Sequence, residues 1–162
     1  MPETGFWRTE IWHPIFVHFP IVLLLVATFM QSVSFFLIPG KKESWQNTAS
    51  WMLYAGCIAA WISIYTGNMA DGIVARKICD PTILKRHELA SYRLAYLFSA
   101  AAILHIALLF RLWNENLKRI FSYIIIVLML TGSGYLVYSS HLGASLVYQQ
   151  GAGVIKPPDD CE

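Results

Sequence analysis

Four of the five histidines in this sequence stand at the ends of long apolar segments. The stretch HPIFVHFPIVLLL places His13 and His18 where the first apolar segment begins, His87 stands where the third begins, and His141 stands where the fourth finishes. Neutral imidazole is the commonest protein ligand for a transition metal, and haem iron is often held by one or two of them. These residues therefore offer metal or haem ligation, provided that the fold brings them together.

The elements that must position the histidines are membrane helices. Of the 162 residues, 56% are hydrophobic and 14% are charged, and the mean hydropathy is +0.50. The apolar residues form four segments of about 20 residues, the length that crosses a bilayer. They lie near residues 15–38, 48–66, 87–113 and 120–140. Because an unpaired backbone group in lipid costs several kcal/mol, we expect continuous helices.

The sequence thus predicts an all-α fold, an integral membrane four-helix bundle in a single domain over residues 1–162 with a C-terminal tail over residues 142–162. It shows no repeat, low-complexity tract or flexible linker that would divide the chain. The N-terminal stretch MPETGFWRTEIW lacks a basic n-region, so we expect the first helix to be retained. No phosphate loop, dinucleotide fingerprint or nucleophile triad is present, and the near-neutral charge gives no reason to expect a nucleic-acid partner. The lipid bilayer is the partner that the composition predicts.

Charge in the connecting segments predicts the direction of the helices. With four crossings, both termini and residues 67–86 share one side of the membrane, and residues 39–47 and 113–119 lie near the other. When Arg111 is counted with that second side, its net charge is +3 (5 − 2), against −1 (7 − 8) for the first. Short basic loops stay in the cytoplasm. We therefore expect a multi-pass protein of the bacterial inner (cytoplasmic) membrane whose termini lie on the non-cytoplasmic side, with four histidines near the periplasmic face.

Two prolines shape the start of the first helix. His13 precedes Pro14, which suits the first helical position because the missing amide hydrogen would be unpaired there. Pro20 lies further inside and cannot donate to the carbonyl near Phe16, so the helix should bend or loosen around His18. A loosened turn beside an imidazole makes a recess. Ionisable side chains within a span tend to face a bundle interior or a cavity.

The third helix offers further candidates. His87 and His105 are 18 residues apart (105 − 87), about five helical turns, so they project from one face roughly 27 Å apart. Arg93 lies slightly inside the membrane. It either extends its charge back to the interface or binds an anionic group such as a haem propionate, because arginine recognises carboxylates in a planar fork.

A haem requires two axial donors, a slot lined by aromatic and small residues, and a polar or basic group for its propionates. AGCIAA and SAAA supply small residues, although such residues also simply let helices pack. The aromatic candidates are Trp51, Trp61, Tyr92 and Tyr96. A zinc site is less favoured, because there is no HExxH and no paired cysteine spacing. Covalent c-type haem is not expected, since no CxxCH occurs.

Several stretches form a recognisable set. They are HPIFVHFPIVLLL in the first helix, TGNMADG at the end of the second, the histidine that opens the third, and HLGASLVYQQGAGV after the fourth. Over residues 12–154 the chain resembles the small bacterial membrane family known as domain of unknown function 2231. The resemblance implies a four-helix membrane domain, sometimes joined to c-type cytochrome domains or encoded near redox proteins, and so favours electron transfer. It assigns no catalytic residue, and Gly143-Ala144 departs from the two glycines expected there.

The C-terminal tail and the cysteines allow two further expectations. The tail either folds back across the periplasmic end as a lid over the histidines or is frayed. Cys79 and Cys161 share the proposed periplasmic side, where an oxidising environment would allow them to form a disulfide. Cys57 lies within a span and is explained by packing.

The leading hypothesis is a membrane b-type cytochrome-like electron-transfer subunit rather than a stand-alone enzyme. It would carry haem b and pass electrons between quinol, or other subunits of a membrane redox complex, and a periplasmic protein such as a c-type cytochrome. His18 and His87 are the first choice as axial ligands, because they enter from different helices at similar depth. His13 and His141 are alternates, or a second pair if two haems bind.

Two other functions use the same residues differently. In the first, the chain is a cofactor-free structural or assembly subunit of a larger respiratory or photosynthetic complex, and the histidines bind carbonyls or lipid headgroups. In the second, the histidines and Met69 handle copper or another metal ion, although copper(I) prefers more soft donors. The absorbance spectrum of the reduced protein separates the cytochrome hypothesis from both.

Overall fold

The computed structural model describes residues 8–110 and 113–154, and all regular structure in these ranges is helical. The helices are α1 (Thr9–Phe16), α2 (His18–Ser34), α3 (Pro39–Val74), α4 (Pro81–Leu109) and α5 (Glu115–Gln150). α1 and α2 together form one apolar span, so four spans are long and apolar enough to cross a membrane. The all-α fold with four membrane-spanning segments is confirmed for this part of the chain.

The helices extend further than the apolar segments predict. α3 already begins at Pro39 and α5 continues to Gln150, so residues 39–47 and 142–150 are helical instead of loop and tail. The boundaries taken from hydropathy are wrong at these places, because hydropathy follows the apolar residues and not the polar ends of a helix. His141 consequently lies inside α5 and not at its end.

Capping residues set the observed ends. The Asn114 side chain accepts a hydrogen bond from the Leu117 amide at the start of α5. Gly151, with a left-handed φ of 65°, caps the other end of this helix. At the start of α4, the Asp80 carboxylate accepts hydrogen bonds from the hydroxyl and the amide of Thr82. These bonds hold the pKa of Asp80 below its usual value, because they favour the charged carboxylate.

The first span is broken where its prolines predict a weakness. Pro14 lies inside α1 and Pro20 inside α2, so neither residue can donate the backbone hydrogen bond of a regular helix. Val17, between them, separates α1 from α2. The loosening expected around His18 is confirmed. The placement of Pro14 at the first helical position is wrong, because α1 already begins at Thr9.

The helices pack as two hairpins. α1 and α2 lie against α3 in the first hairpin (residues 9–74), and α4 lies against α5 in the second (residues 81–150). Contacts between α3 and α4 and between α2 and α5 join the hairpins. One hydrophobic core fills the centre, and Leu24, Phe98 and Met129 are among its most buried side chains. Many large apolar side chains on the outside are exposed, as suits a surface that faces lipid.

The two hairpins are structural repeats of each other. Adding 74 to a position in α1 or α2 gives its counterpart in α4, as for His13 and His87 or Leu24 and Phe98 (87 − 13 = 98 − 24 = 74). Adding 76 relates α3 to α5, and all seven buried residues of α5 then fall on buried positions of α3. The expectation of no repeat is wrong, because the two halves share their pattern of buried positions while few of their side chains are identical.

Glycine marks a close approach of the helices in each hairpin. Gly56 faces Leu24 in the first hairpin and Gly132 faces Phe98 in the second, at equivalent positions (132 − 56 = 76). A Cβ atom on Gly132 would stand 2.8 Å from the Phe98 ring, too close for an undisturbed contact. Since Phe98 is fully buried in a close-packed core, the ring has little space to move aside.

We expect Gly132→Ala to destabilise the protein by about 1–3 kcal/mol, the usual cost of overpacking a core. The matched control is Gly134→Ala on the same helix, where a Cβ atom meets nothing within 4 Å. The control should leave the free energy of unfolding unchanged or raise it by up to about 1 kcal/mol, because alanine is the better helix former. Chemical unfolding in detergent micelles measures both variants, and equal stability would contradict the close approach of α4 and α5.

Candidate functional site

A cavity of about 630 Å³ lies between the hairpins, at the end of the bundle where α1 and α4 begin and α3 and α5 finish. We call this end the cavity end. Most of the lining is apolar and includes Ile21, Ile64, Leu94 and Leu136. Small-molecule sites are typically concave, mostly apolar and roughly 300–1,000 Å³ in volume. The cavity therefore has the size and the character of a ligand site.

Titratable side chains supply part of the polar lining. They are Glu10, His13, His18, Asp71, His87, Glu88, Tyr92 and Tyr148. Two carboxylates are held in ion pairs, Glu10 with Arg8 at 2.7 Å and Glu88 with Lys85 at 2.6 Å. Within residues 8–110 and 113–154, no three His, Cys, Asp or Glu side chains converge as they do around a metal ion bound only by protein. The imidazoles are the groups of the cavity that can supply nitrogen ligands, and Asp71 adds a carboxylate outside both ion pairs.

His13 and His87 meet in this cavity although they are 74 residues apart (87 − 13). Their ring centroids are 6.0 Å apart and the ring planes are nearly perpendicular, at 82°. Both rings are partly buried, and each comes from a different hairpin at the equivalent position of the repeat. Two histidines distant in sequence thus converge at one end of the bundle.

One ring nitrogen of each histidine is fixed by a backbone carbonyl. Nδ1 of His13 lies 2.9 Å from the carbonyl oxygen of Ser63, and Nδ1 of His87 lies 2.9 Å from that of Ser139. A carbonyl oxygen can only accept, so both Nδ1 atoms carry a hydrogen and donate it. In the neutral ring the lone pair then resides on Nε2. Metal-ligating histidines are commonly oriented by such a bond.

A glycine gives each imidazole its space. Gly67 and Gly143 each lie four residues, about one helical turn, after the serine that accepts the bond. A Cβ atom on Gly67 would stand 3.1 Å from Nδ1 of His13, and one on Gly143 would stand 3.3 Å from Cε1 of His87. Any larger side chain would crowd the ring. We call each Ser-x3-Gly pair a histidine seat.

The histidine seats can be seen in the sequence only once the repeat is known. α3 carries GCIAAWISIYTG and α5 carries GSGYLVYSSHLG, and both have the spacing Gly-x6-Ser-x3-Gly. Small residues at such spacings also occur wherever helices pack closely, so the pattern alone indicates no ligand. The sequence therefore points to the histidines but not to the residues that hold them.

The structure pairs His87 with His13 instead of His18, the partner expected from the sequence. His18 lines the cavity but is exposed and follows the helix break at Val17. Positions five apart (18 − 13) do not share a helix face, so only one of the two rings can face His87. His141 is exposed on α5 and is not part of the lining described for the cavity.

Arg93 lies outside the cavity. Its guanidinium stands over the Tyr135 ring, 5.6 Å from the ring centroid, and its side chain is exposed. The role of propionate partner expected from the sequence does not agree with this position. The residue is six positions after His87 (93 − 87), which places it on a different face of α4.

His105 belongs to a separate polar cluster. Its Nδ1 lies 2.6 Å from the Tyr54 hydroxyl, and its Nε2 lies 3.0 Å from the Ser50 hydroxyl. Both ring nitrogens of His105 therefore have side-chain partners. This differs from His13 and His87, where a backbone carbonyl holds one nitrogen and the ring lines a cavity.

The first residues after α5 reach the cavity. Ala152, Gly153 and Val154 belong to its lining, as a tail folded over this end requires. The rest of the tail, including Cys161, lies outside the described residues. Cys79 is exposed, and its disulfide with Cys161 stays a prediction.

The fold and the site define a helical, multi-pass membrane protein with two seated imidazoles in a cavity at one end. Residues 11–156 match the family described as predicted membrane protein (DUF2231), and the chain belongs to that family. The comparison with curated proteins and the comparison with solved structures gave no match. The family suggested by the histidine-containing stretches is confirmed.

Gly67→Ala should displace the His13 imidazole and weaken its bond to the Ser63 carbonyl, because the new methyl group would crowd the ring at 3.1 Å. The matched control is Gly72→Ala on the same helix, where a Cβ atom meets nothing within 4 Å. Histidine-selective nitrogen NMR in micelles should show a shifted Nδ1 signal for His13 in the first variant only. An unchanged signal in Gly67→Ala would show that Gly67 does not form part of a histidine seat.

Proposed function

We propose that this protein is a membrane b-type cytochrome-like electron-transfer subunit in which His13 and His87 hold a haem b. The observation that carries the proposal is the pair of seated imidazoles, each fixed at Nδ1 by a backbone carbonyl. Such a bond selects the tautomer with a lone pair on Nε2 and raises the basicity of the ring as a ligand. A haem needs two donors of this kind and no third side chain.

The separation of the two rings suits a metal-centred cofactor. Two metal–nitrogen bonds of about 2.0–2.1 Å, with the distance from each nitrogen to the centre of its own ring, add up to roughly 6.5 Å when both Nε2 atoms point at one metal. The observed separation of the His13 and His87 centroids is 6.0 Å. The rings also come from different hairpins, so a ligand between them would lie where the cavity is.

A bound haem would supply one-electron chemistry, and the chain would supply its surroundings. The Ser63 and Ser139 carbonyls orient the two imidazoles. The apolar lining would limit the access of water to the iron, and solvent exposure and hydrogen bonding are the means by which a protein sets a haem potential. Because Arg93 lies outside the cavity, it takes no part, and water at the cavity end would solvate the propionates.

The proposed location follows from charge. Short basic segments between the first and second spans and between the third and fourth remain in the cytoplasm, so the cavity end faces the periplasm of a bacterial inner membrane. Electrons would then pass between quinol, or other subunits of a membrane redox complex, and a periplasmic partner such as a c-type cytochrome. A haem near the periplasmic face suits both exchanges.

The visible spectrum of the purified, reduced protein tests the proposal. We expect sharp haem b bands that are lost in His13→Ala and in His87→Ala, because the haem needs both axial imidazoles. His18→Ala and His141→Ala are the matched controls, since both rings are exposed and neither is seated, and they should retain the bands. Loss of the bands in His18→Ala with retention in His13→Ala would instead support the pair expected from the sequence.

A protein that stays colourless after it is expressed with ample haem would refute the cytochrome proposal. If such a protein were recovered in stoichiometric amounts with a large respiratory or photosynthetic complex, the cofactor-free structural or assembly role would replace it. Elemental analysis of the same preparation would separate that role from copper handling.

A further inference from the structure

The two sides on which the hairpins meet differ near the cavity. On the α3–α4 side, Trp61 Nε1 donates to the Ser99 hydroxyl at 3.1 Å, and Asn68 Nδ2 donates to the Tyr92 hydroxyl at 3.0 Å. The rings of Trp61 and Tyr96 also pack edge to face, with their centroids 5.4 Å apart. Hydrogen bonds and aromatic packing therefore join the hairpins on this side, where the exposed Asn68 also belongs to the cavity lining.

The repeat gives the counterpart of each of these five residues on the α2–α5 side. Subtracting 74 from the α4 positions and adding 76 to the α3 positions gives His18, Val22, Leu25, Val137 and Ala144. Valine, leucine and alanine have no side-chain donor or acceptor, so neither bond of the α3–α4 side has an equivalent at these positions. Val22 and Val137 are 59% and 60% exposed. The two hairpins are thus equivalent in their internal packing but not in their contacts with each other. These contacts are polar and aromatic between α3 and α4, whereas the equivalent positions of α2 and α5 are aliphatic apart from His18.

The cavity reaches the surface on the α2–α5 side. The exposed residues His18, Ala144 and Val147 belong to its lining, and we call them the lateral opening. Nearer the middle of the bundle, α2 and α5 are linked by a hydrogen bond, in which the Ser133 hydroxyl donates to the Thr28 hydroxyl at 3.1 Å. Both flanking helices are long and apolar enough to cross a membrane, so we place the lateral opening at the lipid surface near the cavity end.

We propose that the lateral opening binds a quinol, a lipid-soluble electron donor with an apolar tail and two ring hydroxyls. A ring nitrogen of His18 can accept a hydrogen bond from one hydroxyl. Ala144 and Val147 offer an apolar wall to the ring and the tail. A quinol dissolves in the bilayer, which is the phase that the opening meets, and the seated imidazoles lie in the same cavity.

This assignment rests on the proposed function for its electron acceptor. On oxidation the quinol loses two electrons and two protons: its two O–H bonds break, two carbonyl groups form, and it leaves as the quinone. The two electrons would leave one at a time by way of a haem held by His13 and His87, and the periplasmic redox partner would take up each electron before the next one follows. One proton would pass to His18 and from there to water at the cavity end, and the other would pass directly to that water.

Photolabelling with an azido-substituted short-chain quinone tests the site in the full-length protein, reconstituted in phosphatidylcholine nanodiscs. Labelling should be saturable, should be competed by unlabelled quinone, and should map by mass spectrometry to α2 and α5 near the lateral opening. Ala144→Trp should lower it by about tenfold, because the indole fills the opening. His18→Ala should lower it less, because it removes one hydrogen bond. Val127→Trp is the matched control, an exposed position on the same helix outside the cavity lining, and should label as the parent does.

Two outcomes overturn the quinol site. One is labelling that spreads over all lipid-facing helices and is not competed by quinone. The other is labelling that an excess of phospholipid displaces as well as quinone does, which would make the opening a lipid site. Failure of the haem proposal is seen separately: a colourless protein with saturable labelling refutes the haem alone, and a protein with haem bands and no saturable labelling refutes the quinol site alone.

Discussion

Two hydrogen bonds keep imidazoles in place inside a membrane bundle, and the candidate site depends on them. A polar group without a partner in an apolar environment costs several kcal/mol. In a helix, most backbone N–H and C=O groups are already hydrogen-bonded within the helix. A carbonyl oxygen still has two lone pairs. The carbonyls of Ser63 and Ser139 can therefore serve their own helices and also accept from His13 and His87. Each imidazole is satisfied at one nitrogen and can present the other to the cavity.

The repeat explains why these two rings meet. In each hairpin the histidine lies 11 residues before the large side chain that a glycine faces, Leu24 or Phe98 (24 − 13 = 98 − 87 = 11). Equivalent helices therefore pack in the same register, and one arrangement is used twice. The two halves differ where they touch each other, since Trp61 and Asn68 bind across one side and aliphatic residues take their places on the other.

Sequence reasoning predicted the spans well, because a bilayer imposes a length and an apolar composition that hydropathy detects directly. It also predicted the helix break near His18, since proline lacks the donor that a helix needs. It could not predict that His13 and not His18 would face His87, because that choice depends on how a broken helix is rotated against its neighbours. The roles of Gly67 and Gly143 could not be predicted for a similar reason. Each glycine matters because the absence of a side chain leaves space for an imidazole, and this depends on how the helices pack.

The division of the site between two hairpins has a thermodynamic consequence. A molecule bound by one imidazole from each hairpin also links the two hairpins. Its binding free energy therefore adds to the free energy with which the hairpins associate. Occupancy and tertiary assembly are then coupled equilibria, and the melting temperature should rise with ligand concentration. The free energy of unfolding would therefore be greatest when the cavity is occupied.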